Sequence, residues 1–143
     1  MAFVFRRGIF GVILTQYVLI VKKSYQHKTL GILGGGQLGR MVIQSAINYN
    51  LDIHILDPDP SAPCKDIAQK FSVGSLRDFD TVYKFGQACD VITIEIENVN
   101  TDALQRLADE GKEVFPQPAI IKLIQDKRLQ KQFYREKGIP TAD

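Results

Sequence analysis

Apolar positions in this chain fall into short runs and spaced repeats that alternate from residue 29 onward. Leu30 to Leu33 is a strand-like run that ends in Gly34-Gly35-Gly36. Leu38, Met41, Val42, Ser45, Ala46 and Tyr49 follow at the spacing of one helical face. With Ser45 and Ala46 small enough to lie close on a sheet, this spacing predicts that face to be the buried one. Asp52 to Leu56 returns as a β-branched run, which closes a strand–helix–strand unit of about 30 residues. Lys70 to Gly74 reads as a third strand, and Asp78 caps a helix with Phe79, Val82 and Tyr83 on one face.

Val91 to Ile96 is β-branched apart from Glu95, as suits a central parallel strand. Alternation along it would put Thr93, Glu95 and Glu97 on one face. Asn100 caps a helix through Leu104, Leu107 and Ala108 that Gly111 ends, and Glu113 to Phe115 forms a further strand. Pro118 suits a helix N1 position, and this helix continues to Gln125-Asp126-Lys127. A last helix carries Leu129, Lys131, Phe133 and Tyr134 toward Gly138.

This order predicts an α/β fold: a Rossmann-like, doubly wound domain over 29–116 with a mostly parallel sheet, then helices leaving it over 117–143. Thr141-Ala142-Asp143 carries no stop signal, so the chain reads as cut short. Residues 1–28 form a basic, apolar leader outside the fold. Its run from Gly8 to Val21 is short of the roughly 20 residues a membrane span needs. It has the length of a signal-peptide core, but Lys22-Lys23 stand where a cleavage site should be. Upstream sequence joined by an early start codon is the favoured reading, with a targeting or membrane-associated leader as the other.

Composition adds limits. The 143 residues are 45% hydrophobic and 24% charged, which suits a globular protein with a real core. The formal net charge of +2 hides an asymmetry. From Thr29 on, 13 basic residues face 16 acidic ones, which gives no support for a nucleic-acid surface. Cys64 and Cys89 are the only cysteines, without metal or redox spacing, and suit reduced structural thiols in the cytoplasm. No Cys/His metal site is legible, and His54 reads as a packed strand residue.

Candidate chemistry gathers at two places. Gly34, Gly36 and Gly39 satisfy G-x-G-x-x-G between a strand and a helix, where free N–H groups and the helix dipole favour a phosphate. Asp57 lies 18 positions beyond Gly39, near the spacing of the ribose-binding acid in dinucleotide domains. An NAD(P)-binding module is therefore one reading. Glu95, followed by Glu97 and Asn98, falls at the end of a buried strand, where a carboxylate is costly unless paired or set in a cleft.

Three stretches taken together carry a resemblance. G-G-G-Q-L-G-R-M at 34–41, T-I-E-I-E-N-V at 93–99 and I-Q-D-K-R-L-Q-K-Q-F at 124–133 closely resemble the 5-(carboxyamino)imidazole ribonucleotide synthases, ATP-grasp ligases of purine synthesis. L-D-P-D-P-S-A-P at 56–63 and G-I-P-T-A at 138–142 also fit. The resemblance implies that 29–116 is the substrate-binding pre-ATP-grasp domain and that 117–143 opens a truncated ATP-grasp domain. It implies a reaction of aminoimidazole ribonucleotide, bicarbonate and ATP, with Mg2+, to give the N-carboxylated product, ADP and phosphate. Bicarbonate would be activated as carboxyphosphate and captured by the substrate amine. By the same resemblance Gly36, Gln37 and Leu38 would face the substrate's ribose-phosphate, Glu95 its polar groups, and Lys127 the ATP. The reacting residues and the metal-binding carboxylates would lie in a part beyond Asp143, so this stretch alone is expected to be inactive. A cytoplasmic enzyme, homodimeric at full length and without membrane or nucleic-acid partners, completes the expectation.

Overall fold

A computed structural model describes residues 28–141. The leader reading lies outside the described residues, except for Lys28. Five strands form one sheet: β1 (Thr29–Leu33), β2 (Asp52–Asp57), β3 (Lys70–Val73), β4 (Val91–Ile94) and β5 (Glu113–Phe115). Their order is β3-β2-β1-β4-β5, and every pairing is parallel. The chain therefore winds outward from β1 in one direction, then returns to its other side at β4. That reversal leaves a crevice past the carboxyl ends of β1 and β4, where open α/β sheets take ligands.

Among the described residues five α-helices connect and follow the strands: α1 (Gln37–Ala46), α2 (Phe79–Gln87), α3 (Thr101–Asp109), α4 (Pro118–Gln125) and α5 (Lys127–Glu136). A single 3-10 turn, Ile47–Tyr49, extends α1 and ends on Asn50 in the left-handed region. The expected caps are in place: Asp78 accepts from the Thr81 N–H, and Asn100 from the Ala103 N–H. Asp126 accepts from the N–H groups of Arg128 and Leu129 and so starts α5.

Both faces of the sheet are covered, in keeping with a doubly wound fold. On one, Leu33, Leu56 and Ile92 pack with Val82 and Phe85 of α2, Leu104 and Leu107 of α3, and Ile121 of α4. Gly86 lets α2 settle against Leu107, because a β-carbon there would overlap that leucine. On the other face, Ile32, Ile53 and Ile55 pack with Ile43 and Ala46 of α1 and with Cys64.

Three expectations need correction. The buried stripe of α1 is Gly39, Ile43 and Ala46, whereas Leu38 and Met41 are 61% and 62% exposed and Val42 and Tyr49 also face outward. Of the predicted face only Ala46 is buried: the apolar residues of this helix lie on two faces, and the spacing otherwise followed the outer one. On α2, Val82, Phe85 and Gly86 are buried while Phe79 stays exposed and stacks on Tyr83. Finally, β4 stops at Ile94, and residues 95–97 bend away. Strand alternation therefore does not extend to Glu97, which is exposed.

Candidate functional site

The glycine loop follows β1 and is fixed by backbone contacts on every side. Gly34 adopts φ +109°, a conformation that side chains disfavour, and its N–H donates to Leu56 O at 2.9 Å. The Gly35 N–H donates to Asp57 Oδ2 at 2.6 Å, while Asp57 Oδ1 accepts the Asp59 N–H at 2.7 Å. The Cys64 N–H donates to Gly35 O at 3.0 Å, and its thiol lies 3.4 Å from Gly36 O. Asp57, which the sequence reading brought to this loop only as a ribose-binding acid, and Cys64, which it did not place here, thus hold the loop. For Asp57 the sequence signal was its spacing beyond Gly39 at the end of β2, which pointed to a ligand rather than to a bond with Gly35.

Gly36 is the N-cap of α1 and has no side chain to bond the first turn. The leading N–H groups of a helix have no intrahelical acceptor, so the end formed by Gly36, Gln37 and Leu38 retains its donors and its positive dipole. Gln37 and Leu38 are both exposed. The turn is open to solvent.

Glu95 completes this arrangement. Register pairs Leu33 with Ile94, and the Glu95 N–H continues the ladder to Leu33 O at 2.8 Å. Its side chain then folds over the loop. A β-carbon built on Gly36 would stand 2.7 Å from Glu95 Oε1, and one built on Gly34 would stand 2.7 Å from Oε2. Absence of side chains at Gly34 and Gly36 is what makes room for the carboxylate. Among the described residues, no hydrogen bond or ion pair uses the Glu95 carboxylate. A half-buried, unpartnered acceptor beside unpartnered N–H donors is suited to a ligand that carries both an anionic group and hydroxyl or amine donors.

Nearby charges are consistent with this placement. Burial pushes the Cys64 thiol above its usual range, Glu95 and then Asp57 push it further, and Arg40 opposes them. Arg40, one turn into α1, is therefore a cation close to the loop that sequence reasoning passed over. Cys89 is pushed up to about 11, mainly by burial. Both thiols are free and buried.

The remaining site residues are placed as follows. Asn98 accepts from Arg77 Nε at 3.0 Å, which ties the Glu97–Val99 segment to the loop before α2. Gln125 Nε2 donates to the carbonyls of Glu97 and Val99 at 2.7 and 2.8 Å. The end of α4 is thereby tied to the segment that follows Glu95. Lys127 opens α5, is exposed, and lies 3.2 Å from Gln130 Oε1. Lys131 is one turn further along the same helix. Among the described residues no hydrogen bond or ion pair joins Lys127 to Glu95 or to the glycine loop.

A doubly wound domain with an open helix N-terminus and a strand-end carboxylate at its switch point belongs to the open α/β class that takes ligands in that crevice. Comparison with known proteins narrows this. The family model described as "Ribonucleotide synthetase preATP-grasp domain" matches residues 27–125, and the chain belongs to that family. A phosphoribosylaminoimidazole carboxylase of Ogataea methanolica is 42% identical over 119 residues, covering 81% of this chain and 22% of that protein. The N5-carboxyaminoimidazole ribonucleotide synthetase of Thermotoga maritima superposes with TM-score 0.76 and 34% identity, over 81% of this chain and 32% of the other. An Aspergillus clavatus N5-carboxyaminoimidazole synthase, solved with ADP and 5-aminoimidazole ribonucleotide, gives TM-score 0.74 and 39% identity, over 82% and 31%. The chain thus spans about a fifth to a third of the length of these relatives.

Proposed function

We propose that this chain is the substrate-binding N-terminal part of an ATP-dependent carboxylating ligase. The whole ligase would convert 5-aminoimidazole ribonucleotide, bicarbonate and ATP into 5-(carboxyamino)imidazole ribonucleotide, ADP and phosphate. The observation that carries this reading is the Glu95 carboxylate lying over Gly34 and Gly36 at an uncapped helix N-terminus. The substrate's phosphate meets the N–H groups of Gly36, Gln37 and Leu38, where the α1 dipole favours a dianion. Glu95 accepts hydrogen bonds from ribose hydroxyls or the amine and fixes the orientation of the ring. Asp57 and Cys64 keep the loop in its binding shape without touching the substrate.

ATP with Mg2+ supplies the phosphoryl group that activates bicarbonate when the ligase is complete. Lys127 is suited to a nucleotide phosphate, as an exposed ammonium at the start of a helix. Residues 117–143 would carry the chain from the substrate domain into the ATP-grasp domain. The full-length ligase would be a cytoplasmic homodimer. Among the described residues no helix is long and apolar enough to cross a membrane. The dinucleotide reading is not better supported: Asp57, its ribose acid, already accepts the Gly35 N–H on one oxygen and the Asp59 N–H on the other, and so serves to shape the loop.

Calorimetric titration of the chain with aminoimidazole ribonucleotide, and separately with NADH, tests the reading. Saturable binding of the ribonucleotide that Glu95→Gln weakens about tenfold or more supports it. Binding of NADH in preference, or ribonucleotide binding indifferent to Glu95→Gln, would overturn it. No bicarbonate-dependent ATP hydrolysis is expected from this stretch alone.

A further inference from the structure

A second concavity lies away from the glycine loop, at the outer edge of the sheet. It occupies about 410 Å³ between strands β2 and β3 and helix α2, within the range of small-molecule pockets. One part of its lining is apolar: Leu56, Val73, Phe85 and Ala88. The other part is His54, Lys70, Ser72, Thr81 and Lys84, and no carboxylate lines it. Register explains the grouping, since His54 pairs with Lys70 and Leu56 with Ser72 on adjacent parallel strands. Thr81 and Lys84, three residues apart on α2, complete the wall.

The charges here are unbalanced. Four ion pairs occur among the described residues, and neither Lys70 nor Lys84 takes part in one. Two exposed lysines thus line one pocket with no acidic residue in its lining, an arrangement that favours an anion between them. The His54 side chain adds a second anomaly: its Nδ1 is buried and has no hydrogen-bond partner, the only such side-chain atom among the described residues. An orphan polar atom beside a cavity calls for a water or ligand that reorganises the site.

We propose that this pocket binds a small oxyanion, phosphate or carboxylate, attached to an apolar body. Lys70 and Lys84 hold the charged end, assisted by the Ser72 hydroxyl and His54, and the body lies against Leu56, Val73 and Phe85. This site is independent of the ribonucleotide reading, because it shares no residue with the glycine loop or Glu95.

His54 gives a direct probe, since the only other histidine is His27. The full chain, labelled at histidine, is titrated with phenyl phosphate, benzoate and inorganic phosphate while imidazole resonances are followed by NMR. Saturable shifts of His54, absent at His27, are expected with phenyl phosphate or benzoate. The tighter of these two identifies the oxyanion, and inorganic phosphate should bind more weakly because it lacks the apolar body. Lys70→Gln and Lys84→Gln each remove an exposed charge and should weaken binding about tenfold. Thermal unfolding of both variants confirms that they fold. Glu95→Gln should leave this binding unchanged. No saturable His54 shift with any of the three probes overturns the proposal. So do affinities unchanged in both lysine variants, or binding lost in Glu95→Gln, which would place the probe at the glycine loop.

Discussion

Adding one carbon at Gly34 or at Gly36 should have very different consequences, although both point at the same carboxylate. At Gly36 the backbone is ordinary, with φ −74°, so an alanine meets only Glu95 Oε1 at 2.7 Å. That oxygen is the far end of a flexible side chain and can swing away. Stability should therefore change by less than about 1 kcal/mol. Displacing the carboxylate from the loop should nevertheless weaken ribonucleotide binding about tenfold, or roughly 1.4 kcal/mol. At Gly34 the alanine must adopt φ +109° and also meets the Glu95 β-carbon at 2.9 Å, well inside the roughly 3.5–4.0 Å at which carbons attract. Neither the backbone nor a β-carbon can move aside cheaply. Gly34→Ala should cost about 1–3 kcal/mol from the backbone conformation alone, and lower the melting midpoint by about 5–15 °C. Thermal unfolding paired with calorimetric titration separates the two effects. Since Gly36→Ala acts through Glu95, its binding loss should not add fully to that of Glu95→Gln. A Gly34→Ala protein as stable as the parent, or a Gly36→Ala protein that binds as tightly, would refute this account of the loop.

Further outcomes follow from other contacts. Asn100→Ala removes the cap of α3 and the 2.9 Å bond from Nδ2 to Arg77 O, and should cost about 1–2 kcal/mol in urea unfolding. Burial, then Lys70, holds the His54 pKa below 6.5, while Asp52 opposes them. The unfolded chain therefore binds the extra proton first, so stability should fall as pH drops below about 6.5, and less steeply in His54→Gln. Cys89, raised to about 11 in the fold, has the opposite dependence: its contribution is full below the ordinary 9.0 and is lost between pH 9 and 11. A thiol reagent at pH 8 should accordingly modify Cys64 and Cys89 slowly in the folded chain and quickly in denaturant.

Much of this architecture is legible in the residues themselves. The β-branched runs at 52–56 and 91–94, the caps Asp78 and Asn100, and Pro118 at the start of α4 are local signals, and each lies where local chemistry puts it. What could not be read is which of two apolar stripes on α1 is buried. Leu38, Met41 and Val42 outweigh Gly39, Ile43 and Ala46 in bulk, but close approach to the sheet selects the smaller side chains, with Gly39 against Cys64. The meeting of Glu95 with Gly34 and Gly36 follows from strand order. It needs β4 beside β1, a long-range pairing that no local pattern encodes. Asp57 was legible as a strand-end acid, yet its role in bonding Gly35 depends on a loop shape that only the folded chain defines. Lys127 was read as the end of the helix from Pro118, whereas that helix stops at Gln125 and Asp126 caps a new one that Lys127 opens; its proposed ATP contact rests on the family resemblance.

The central claim is that a phosphorylated ribonucleotide sits on the first turn of α1 beneath Glu95. Backbone amide NMR of the full chain during titration with aminoimidazole ribonucleotide tests it most directly. We expect saturable shifts at Gly34, Gly36, Gln37 and Leu38, with Glu95→Gln weakening them and ribose 5-phosphate reproducing part of the pattern. Shifts confined to other segments, or the same amides responding to NADH and not to the ribonucleotide, would contradict it.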